Sequence, residues 1–167
     1  DPKFYSELIN SIKSAKDLMQ FGGPEFAFPL TEEQINITLS DKNRIAFRVV
    51  NTFDESTAGH CEIYFKVDSA ELGRILIIDE NQRGKGIGKQ IVILLLQFIV
   101  ENRKERNVEL NVFDFNIGAI KCYEKVGFVV NPDKKFTREV EGETWTAVNM
   151  VLNLEHWKII NKIIHNR

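Results

Sequence analysis

A glycine-rich segment in the middle of the chain combines the residue types that bind phosphate. Gly84, Gly86 and Gly88 stand at alternate positions among basic residues, and no acidic residue falls within 82–89. Glycine lets successive backbone amides turn toward one point, and amides at the start of a helix attract an anion. An apolar strand precedes the segment and an apolar helix follows it. The pattern therefore predicts a phosphate-binding loop at a helix N-terminus.

Two common nucleotide-binding motifs do not fit this loop. A dinucleotide fingerprint places its third glycine three positions after the second, whereas Gly88 follows Gly86 by two. A Walker loop needs glycine at position 83 and serine or threonine at position 90, where the chain has Arg83 and Gln90. For the loop taken alone, a tight strand-to-helix turn with solvated charges is the alternative interpretation.

Two blocks of the sequence resemble the GNAT superfamily of N-acetyltransferases. Residues 82–88 satisfy its signature of Gln or Arg, two residues, Gly, one residue, and Gly or Ala. Residues 116–128 are similar to its later block, Asn-x-x-Ala-x-x-x-Tyr-x-x-x-Gly-Phe. The blocks lie in the order typical of the superfamily, with one helix and one strand between them.

The resemblance implies acetyl-coenzyme A as the cosubstrate. Splayed parallel strands leave unpaired backbone groups, so pantetheine is expected to pair with the strand before the loop. Amides and basic side chains of the loop are expected to surround the pyrophosphate. The implied coenzyme-binding set is Leu76, Ile77, Ile78, Gln82, Arg83, Gly84, Lys85, Gly86, Ile87, Gly88, Lys89, Asn116, Ala119 and Tyr123.

Direct acetyl transfer to an amine needs a proton acceptor, a stabilised oxyanion and a proton for the departing thiolate. The resemblance implies Tyr123 as the general acid. In the related ribosomal-protein N-terminal acetyltransferases a glutamate lies five residues before the asparagine of the later block, but here that place holds Asn111, which cannot accept the proton. Glu71 and Glu62 are the candidate bases, with a water relay as the alternative. Because the attack is expected to be direct, Cys122 is not expected to be a nucleophile.

Cysteine and histidine give no second chemical centre. Cys61 and Cys122 are too few for a disulfide framework or a four-ligand zinc site, so we expect them to pack in the interior. The three histidines do not stand at metal-ligand spacing. We therefore predict no metal.

Composition excludes several partners and compartments. The net charge is −2, so no global basic surface favours nucleic acid or an anionic membrane. The longest apolar stretch, about residues 91–100, is shorter than the roughly 20 residues of a membrane span. With so few cysteines, the chain is predicted to be cytoplasmic.

Periodicity predicts a mixed α/β fold, of α+β type. A strand, the glycine loop, a helix and a further strand in succession imply one parallel pair within a mixed sheet. The resemblance implies a GNAT-type central sheet, mostly antiparallel with a splayed parallel pair, flanked by helices. The expected strands are 44–51, 60–67, 73–78, 108–115, one starting at 128–130, and 145–152. The expected helices cover 8–19, a short segment opening at Thr31, the loop to about Asn102, 117–125 and 154–164.

These expectations combine into one functional prediction. The chain is predicted to be a single domain, residues 1–167, that transfers acetyl from acetyl-coenzyme A to a primary amine of a small molecule or protein. The alternatives are a non-catalytic acyl-coenzyme A binding or sensing module and a plain interaction domain. Homodimerisation through a sheet edge or the C-terminal helix is a further hypothesis. The expected parts are the acetyl-coenzyme A core at about 73–130, the acceptor side at about 1–67 and 131–152, the acceptor itself between segments 21–30 and 134–145, and a C-terminal helix at about 154–165.

Overall fold

A computed structural model describes residues 2–165 of the chain. Its helices are α1 (Pro2–Ser11), α2 (Ala15–Gly22), α3 (Glu32–Leu39), α4 (Ile87–Asn102), α5 (Ile117–Glu124) and α6 (Leu154–His165). Its strands are β1 (Arg44–Val50), β2 (Thr57–Phe65), β3 (Ser69–Ile77), β4 (Asn107–Phe113), β5 (Val129–Val140) and β6 (Glu143–Asn153). Asp1, Asn166 and Arg167, which belong to the predicted domain, lie outside the described residues.

One parallel pair of strands lies at the centre of a six-stranded sheet. The strand order is β1-β2-β3-β4-β6-β5, and every neighbouring pair except β3–β4 is antiparallel. The chain crosses from β3 to β4 through α4, which is the connection that parallel neighbours require. The predicted mixed sheet with helices on its faces is confirmed.

The crossover helix α4 covers one side of the sheet. Its apolar side chains recur at helical spacing and pack against buried residues of β2, β3, β4 and β6. Burial of each such side chain stabilises the fold by about 1.5–3 kcal/mol. This packing fixes the start of α4, and with it the glycine loop, beside the sheet. Among residues 2–165, no helix is both long enough and apolar enough to cross a bilayer.

The three N-terminal helices cover the opposite side of the sheet. Leu8, Leu18, Phe21 and Ile35 are buried there in a second apolar cluster, against which Leu76 of β3 packs. The strand that leads into the glycine loop is therefore held between two apolar layers.

The predicted helical character of residues 8–19 is confirmed, but it is divided between two helices, because the chain leaves α1 after Ser11 and starts α2 at Ala15. The Ser14 side chain accepts the Asp17 amide (3.1 Å) and caps α2. The predicted start of α3 is confirmed, since Thr31 accepts the Gln34 amide (3.3 Å).

Pairing between β3 and β4 ends after a short ladder. Ser69–Leu72 pairs with Asn107–Leu110, and the two strands then separate. On its other edge, β3 has an irregular register with β2 opposite His60–Glu62, and Arg74 there has a φ of 50°. A bulge of this kind bends a strand and increases its twist. Residues 73–77 are thus left without β4 as a hydrogen-bonding neighbour.

The prediction places the start of this strand at Gly73, whereas β3 begins at Ser69. The Lys66 amide donates to the Ser69 carbonyl (2.8 Å) and closes a tight turn between β2 and β3. The predicted strand therefore omits Ser69–Leu72, the residues that pair with β4. The turn before them has only two residues, so the sequence contains no long polar segment that would mark the end of β2 and the start of β3.

The C-terminal helix docks through its first turn. In the sequence, Leu154, Trp157, Ile160, Ile163 and Ile164 recur close to one helical face, which predicts that the helix docks through that face. Leu154 and Trp157 are buried, but Ile160 is 44% exposed, so the predicted face is only partly covered. The side chains of Ile163 and Ile164, which belong to the same predicted face, lie outside the described residues.

We predict that a methyl group at Gly59 destabilises the sheet. Gly59 pairs with Ile77, and an added Cβ would overlap the Leu76 carbonyl oxygen. We expect Gly59→Ala to lower the free energy of unfolding by about 1–3 kcal/mol in chemical denaturation. Gly73→Ala is the control, because an added Cβ there meets no atom of residues 2–165 within 4 Å. Equal losses for the two variants would contradict the steric explanation.

Candidate active site

The separation of β3 and β4 opens a cleft of about 1260 Å³. Its lining comes from both layers: the glycine loop and α5 on the α4 side, and α2 with the turn after it on the other. Among the predicted coenzyme-binding residues, Ile78, Gln82, Lys85 and Ile87 do not line the cleft. Those that do are Leu76, Ile77, Arg83, Gly84, Gly86, Gly88, Lys89, Asn116, Ala119 and Tyr123.

The glycine loop ends in a helix start that depends on Gly86. Its φ of 86° lies in the left-handed region, which glycine adopts without strain, and α4 begins at the next residue. The Gly86 carbonyl accepts the Gln90 amide (3.1 Å). The amides of Ile87, Gly88 and Lys89 precede that bond, so they have no helical acceptor and form the anion-attracting end of α4.

Arg83 contacts the strand that leads into the loop. Its amide donates to the Glu80 carbonyl (3.0 Å), so the amides available to an anion begin at Gly84, one residue later than predicted. Its guanidinium donates to the Ile77 carbonyl (3.1 and 3.3 Å) and pairs with the Glu80 carboxylate (3.0 Å). The amide of Ile78 is bound to β2 (3.1 Å). A ligand that pairs with β3 at Ile77 must therefore displace the Arg83 guanidinium.

Helix α5 brings the predicted general acid into the cleft. The Asn116 side chain accepts the Ala119 amide (3.2 Å) and caps the helix. The Tyr123 ring packs against Phe128 with ring centroids 6.2 Å apart. Burial raises the pKa of Tyr123, so its phenol is protonated at neutral pH, the form that a general acid needs. Burial also raises the pKa of the Cys122 thiol, which keeps it a poor nucleophile.

Glu62, one of the two predicted bases, belongs to a buried ion cluster. Its carboxylate is 3% exposed and contacts Arg44 Nη1 (2.9 Å), Arg74 Nη1 (3.0 Å) and His60 Nε2 (2.9 Å). Burial acts to raise the pKa of Glu62, but the His60 hydrogen bond and the charge of Arg74 outweigh it and lower that pKa. Glu62 also lines the cleft, but each of its oxygens already accepts two contacts from these partners.

The same cluster ties the bulge of β3 to the N-terminal layer. The Arg74 guanidinium also pairs with Glu25 and donates to the Thr38 hydroxyl of α3 (3.2 Å), and its carbon lies 4.1 Å from the centroid of the Phe26 ring. These contacts hold a non-glycine residue at positive φ.

Glu71, the other predicted base, lies where β3 and β4 part. It is one residue before the last paired residue, Leu72, and its side chain is 27% exposed and lines the cleft. The carboxylate pairs with Lys66, the residue after β2, and accepts a hydrogen bond from the Asn111 side-chain amide of β4 (3.2 Å). Each carboxylate oxygen can accept two hydrogen bonds, and each Glu71 oxygen has one partner here, so Glu71 can still accept a proton or a hydrogen bond from the cleft.

A second polar network, which the sequence analysis missed, lies beneath Glu71. Glu109 accepts from Lys66 (2.6 Å), Lys134 (2.7 Å) and Asn149 (3.0 Å). In the sequence, polar residues alternate with apolar ones along β4, which indicates that Glu109 is on a polar face. This alternation does not identify its partners Lys66, Lys134 and Asn149, which lie on other segments of the chain. Within residues 2–165, no set of three or more His, Cys, Asp or Glu side chains is arranged to hold a metal ion.

The segments expected to flank the acceptor meet at this cleft. Phe21–Glu25 of the first segment lines it, as do Phe136 and Arg138 of the second. Phe28, in contrast, is 47% exposed and does not line the cleft.

The model of the acetyltransferase (GNAT) family matches residues 14–128 of the chain. The chain belongs to this family. Membership confirms the family that the two sequence blocks resemble. In solved structures the fold is similar to that of the spermidine N-acetyltransferase from Vibrio cholerae in complex with coenzyme A and spermine. That likeness has a TM-score of 0.75 and 21% identity, and covers 94% of each chain.

Curated relatives match over a shorter stretch. The spermine/spermidine N(1)-acetyltransferase of Bacillus subtilis is 39% identical over 62 residues, which is 37% of this chain and 41% of the relative. An aminoglycoside N(6')-acetyltransferase type 1 of Klebsiella pneumoniae is 32% identical over 63 residues, which is 35% of this chain and 31% of the relative. The chain thus spans less than half the length of each of these two relatives.

We predict that Glu109 stabilises the fold in a pH-dependent manner. Burial alone would raise its pKa, but hydrogen bonds from Lys134, Lys66 and Asn149 lower it from 4.5 to about 2. Because the folded-state pKa is depressed, the stabilisation is present above about pH 4.5 and is lost as the pH falls toward 2. At pH 7 we expect Glu109→Gln to lower the free energy of unfolding by about 1–3 kcal/mol.

Denaturant titrations at pH 7 and pH 3 measure this difference. Glu101→Gln, at an exposed position of α4, is the control and should change little at either pH. A loss for Glu109→Gln that is as large at pH 3 as at pH 7 would show that the ion contacts are not its origin.

Proposed function

We propose that the chain is an acetyl-coenzyme A-dependent N-acetyltransferase whose acceptor is a primary amine of a polyamine, attacking the thioester directly. The observation that carries the proposal is the cleft between β3 and β4, in which free loop amides, a protonated phenol and a half-exposed carboxylate line one cavity. These are the groups that acetyl transfer requires.

The chain's residues fit the coenzyme in two respects. The amides from Gly84 to Lys89 offer donors to a diphosphate at the start of α4. The unpaired edge of β3 over residues 73–77 offers backbone groups to the amides of pantetheine. Acetyl-coenzyme A supplies the activated acyl carbon and a thiolate leaving group.

Tyr123 is the general acid in this proposal. Its phenol holds a proton at neutral pH and faces the cleft, so it can protonate the departing sulfur. The bond from the amine nitrogen to the acyl carbon forms as the carbon–sulfur bond breaks. The amine proton goes to the base, and the phenol proton goes to the sulfur.

Glu71 is the general base. Each Glu71 oxygen has one partner and keeps acceptor capacity toward the cleft, whereas each oxygen of the buried Glu62 already has two. An ammonium group is attracted to carboxylates, and Asp17, Glu25 and Asp41 line the same cleft. Glu25 is already paired with Arg44 and Arg74, so the carboxylates of Asp17 and Asp41, together with the names of the relatives, support a polyamine acceptor. Homodimerisation and a cytoplasmic location stay predictions.

We predict that the purified chain acetylates spermine or spermidine and that Tyr123→Phe lowers kcat about 10²- to 10⁴-fold. Thiol release from acetyl-coenzyme A is measured with a panel of polyamines, an aminoglycoside and a peptide amino terminus. The Tyr5→Phe variant, outside the cleft lining, is the matched control and should keep the wild-type rate.

Coenzyme A at 100 times its Kd should stabilise the chain by about 2.7 kcal/mol in thermal unfolding. Stabilisation without transfer to any amine would favour the acyl-coenzyme A sensing module. No stabilisation at saturating coenzyme would favour the plain interaction domain.

We predict that Glu71→Gln lowers kcat/KM about 10²- to 10⁴-fold and removes the acid limb of its pH profile, because glutamine cannot accept a proton. Glu62→Gln is compared with it. That variant leaves Arg44 and Arg74 partly unpaired, so it should lose about 3–5 kcal/mol of stability while the folded fraction keeps its acid limb. If Glu62→Gln removes the acid limb of the pH profile and Glu71→Gln keeps it, Glu62 is the base and Glu71 is not.

A further inference from the structure

The side chain at position 111 occupies the branch point of the sheet. Asn111 follows Leu110, the last residue of β4 that pairs with β3, and Glu71 precedes Leu72, the last paired residue of β3. The two side chains line the cleft from neighbouring strands, and Asn111 Nδ2 donates to Glu71 Oε1 (3.2 Å).

The orientation of the Asn111 amide is fixed by a chain of side-chain amides. Asn149 Nδ2 donates to Asn111 Oδ1 (3.0 Å), and Asn131 Nδ2 donates to Asn149 Oδ1 (3.2 Å). Asn149 cannot turn over, because its Nδ2 also faces the Glu109 carboxylate (3.0 Å) and the Leu110 carbonyl (3.3 Å). Since Asn111 must present its oxygen to Asn149, it presents its NH₂ to Glu71.

Asn149 is fully buried, so this chain of bonds is anchored in the sheet itself. A buried amide that lost its partner would cost about 1–3 kcal/mol, which favours a single arrangement of the chain. The anchored end holds Asn111, and Asn111 holds one oxygen of Glu71. Lys66 holds the other oxygen.

We propose that Asn111 is a positioning residue, which holds the Glu71 carboxylate at the point where β3 and β4 separate and adds no charge beside it. The inference rests on the proposed role of Glu71 as base. It assigns a use to the asparagine that stands where related acetyltransferases carry a glutamate.

Charge is the property that separates this role from simple packing. An ionised side chain at position 111 would place like charges 3.2 Å apart, and two carboxylates that share a site cannot both ionise freely. The groups that face Glu71 from the surrounding elements are Tyr64 of β2, Lys66 of the turn after it, Glu109 of β4, and, through Glu109, Lys134 of β5. Asn111→Asp leaves all of these residues in place and changes only the charge at position 111.

Asn111→Asp tests the proposal in the full chain with spermine as acceptor. We expect kcat to fall at least tenfold, the acid limb of kcat/KM to move up by one pH unit or more, and the KM for acetyl-coenzyme A to stay within twofold. Asn107→Asp is the matched control, because it adds the same charge on the same face of β4, roughly 13 Å away and beyond the screening length of about 8–10 Å. It should leave the pH profile in place.

A readout without catalysis separates this inference from the proposed function. The Glu71 carboxyl carbon is titrated by ¹³C NMR, assigned by its loss in Glu71→Gln, and Asn111→Asp should raise its midpoint by one unit or more. An unchanged midpoint in a folded Asn111→Asp variant would overturn the positioning role. If Glu71→Gln leaves activity intact while the midpoint still moves, the assigned base is wrong but the contact stands.

A double variant completes the test. In a Glu71→Gln background, Asn111→Asp should change kcat less than threefold, because the partner carboxylate is gone. A tenfold loss there would assign Asn111 a role independent of Glu71 and overturn the proposal.

Asn111→Ala tests the same role if Asn111→Asp does not fold, because it removes the hydrogen-bond donor without adding a charge. It should lower kcat about tenfold with the KM for acetyl-coenzyme A unchanged, and a wild-type kcat would count against the proposal.

Discussion

The end of the hydrogen-bonded ladder between β3 and β4 is the constraint on which the site depends. The strands are tied together as far as Leu72 and Leu110, and the buried face of α4 holds them from one side. Beyond that point the bulge at Arg74 turns β3 away. Backbone groups inside a protein need partners, so an opened ladder favours a ligand that can supply hydrogen bonds along its length. The glycine loop lies at the open end because the same strand leads into it.

Two ion networks flank this opening and do different work. The first joins Glu25 and Glu62 to Arg44 and Arg74, so its carboxylates and guanidinium groups balance in charge and the bulge is clamped to the N-terminal layer. The second gathers around Glu109 below the cleft floor. Buried charges persist only where they are paired, and such pairs contribute more to a defined geometry than to net stability. The acceptor side of the cleft is therefore shaped by charge pairing, and the coenzyme side by backbone geometry.

Local patterns in the sequence predict the backbone of the site well. The glycine loop is predicted to lead directly into a helix, which begins at Ile87, and Asn116 and Thr31 act as helix caps. Side-chain partners across strands are a different matter, because Lys66, Glu109 and Asn149 meet only once the register of three strands is set. The same limit explains why Glu62 and Glu71 are equivalent in the sequence. Only the fold shows that Arg74, displaced by the bulge, reaches one of them and leaves the other half-exposed.

The contact between Glu71 and Asn111 shows that a proton acceptor on β3 and one on β4 would occupy nearly the same position in the cleft. Side chains on either side of the branch point lie 3.2 Å apart, so a carboxylate on β3 and one on β4 reach nearly the same volume of the cleft. A carboxylate on both strands would force the two to share a proton, which would weaken the base near neutral pH. Having the acid on one strand and an amide on the other avoids that repulsion, and the amide supplies a hydrogen bond in its stead. On this argument Asn111 is the neutral half of a carboxylate–amide pair, and its presence follows from the position of Glu71 on β3.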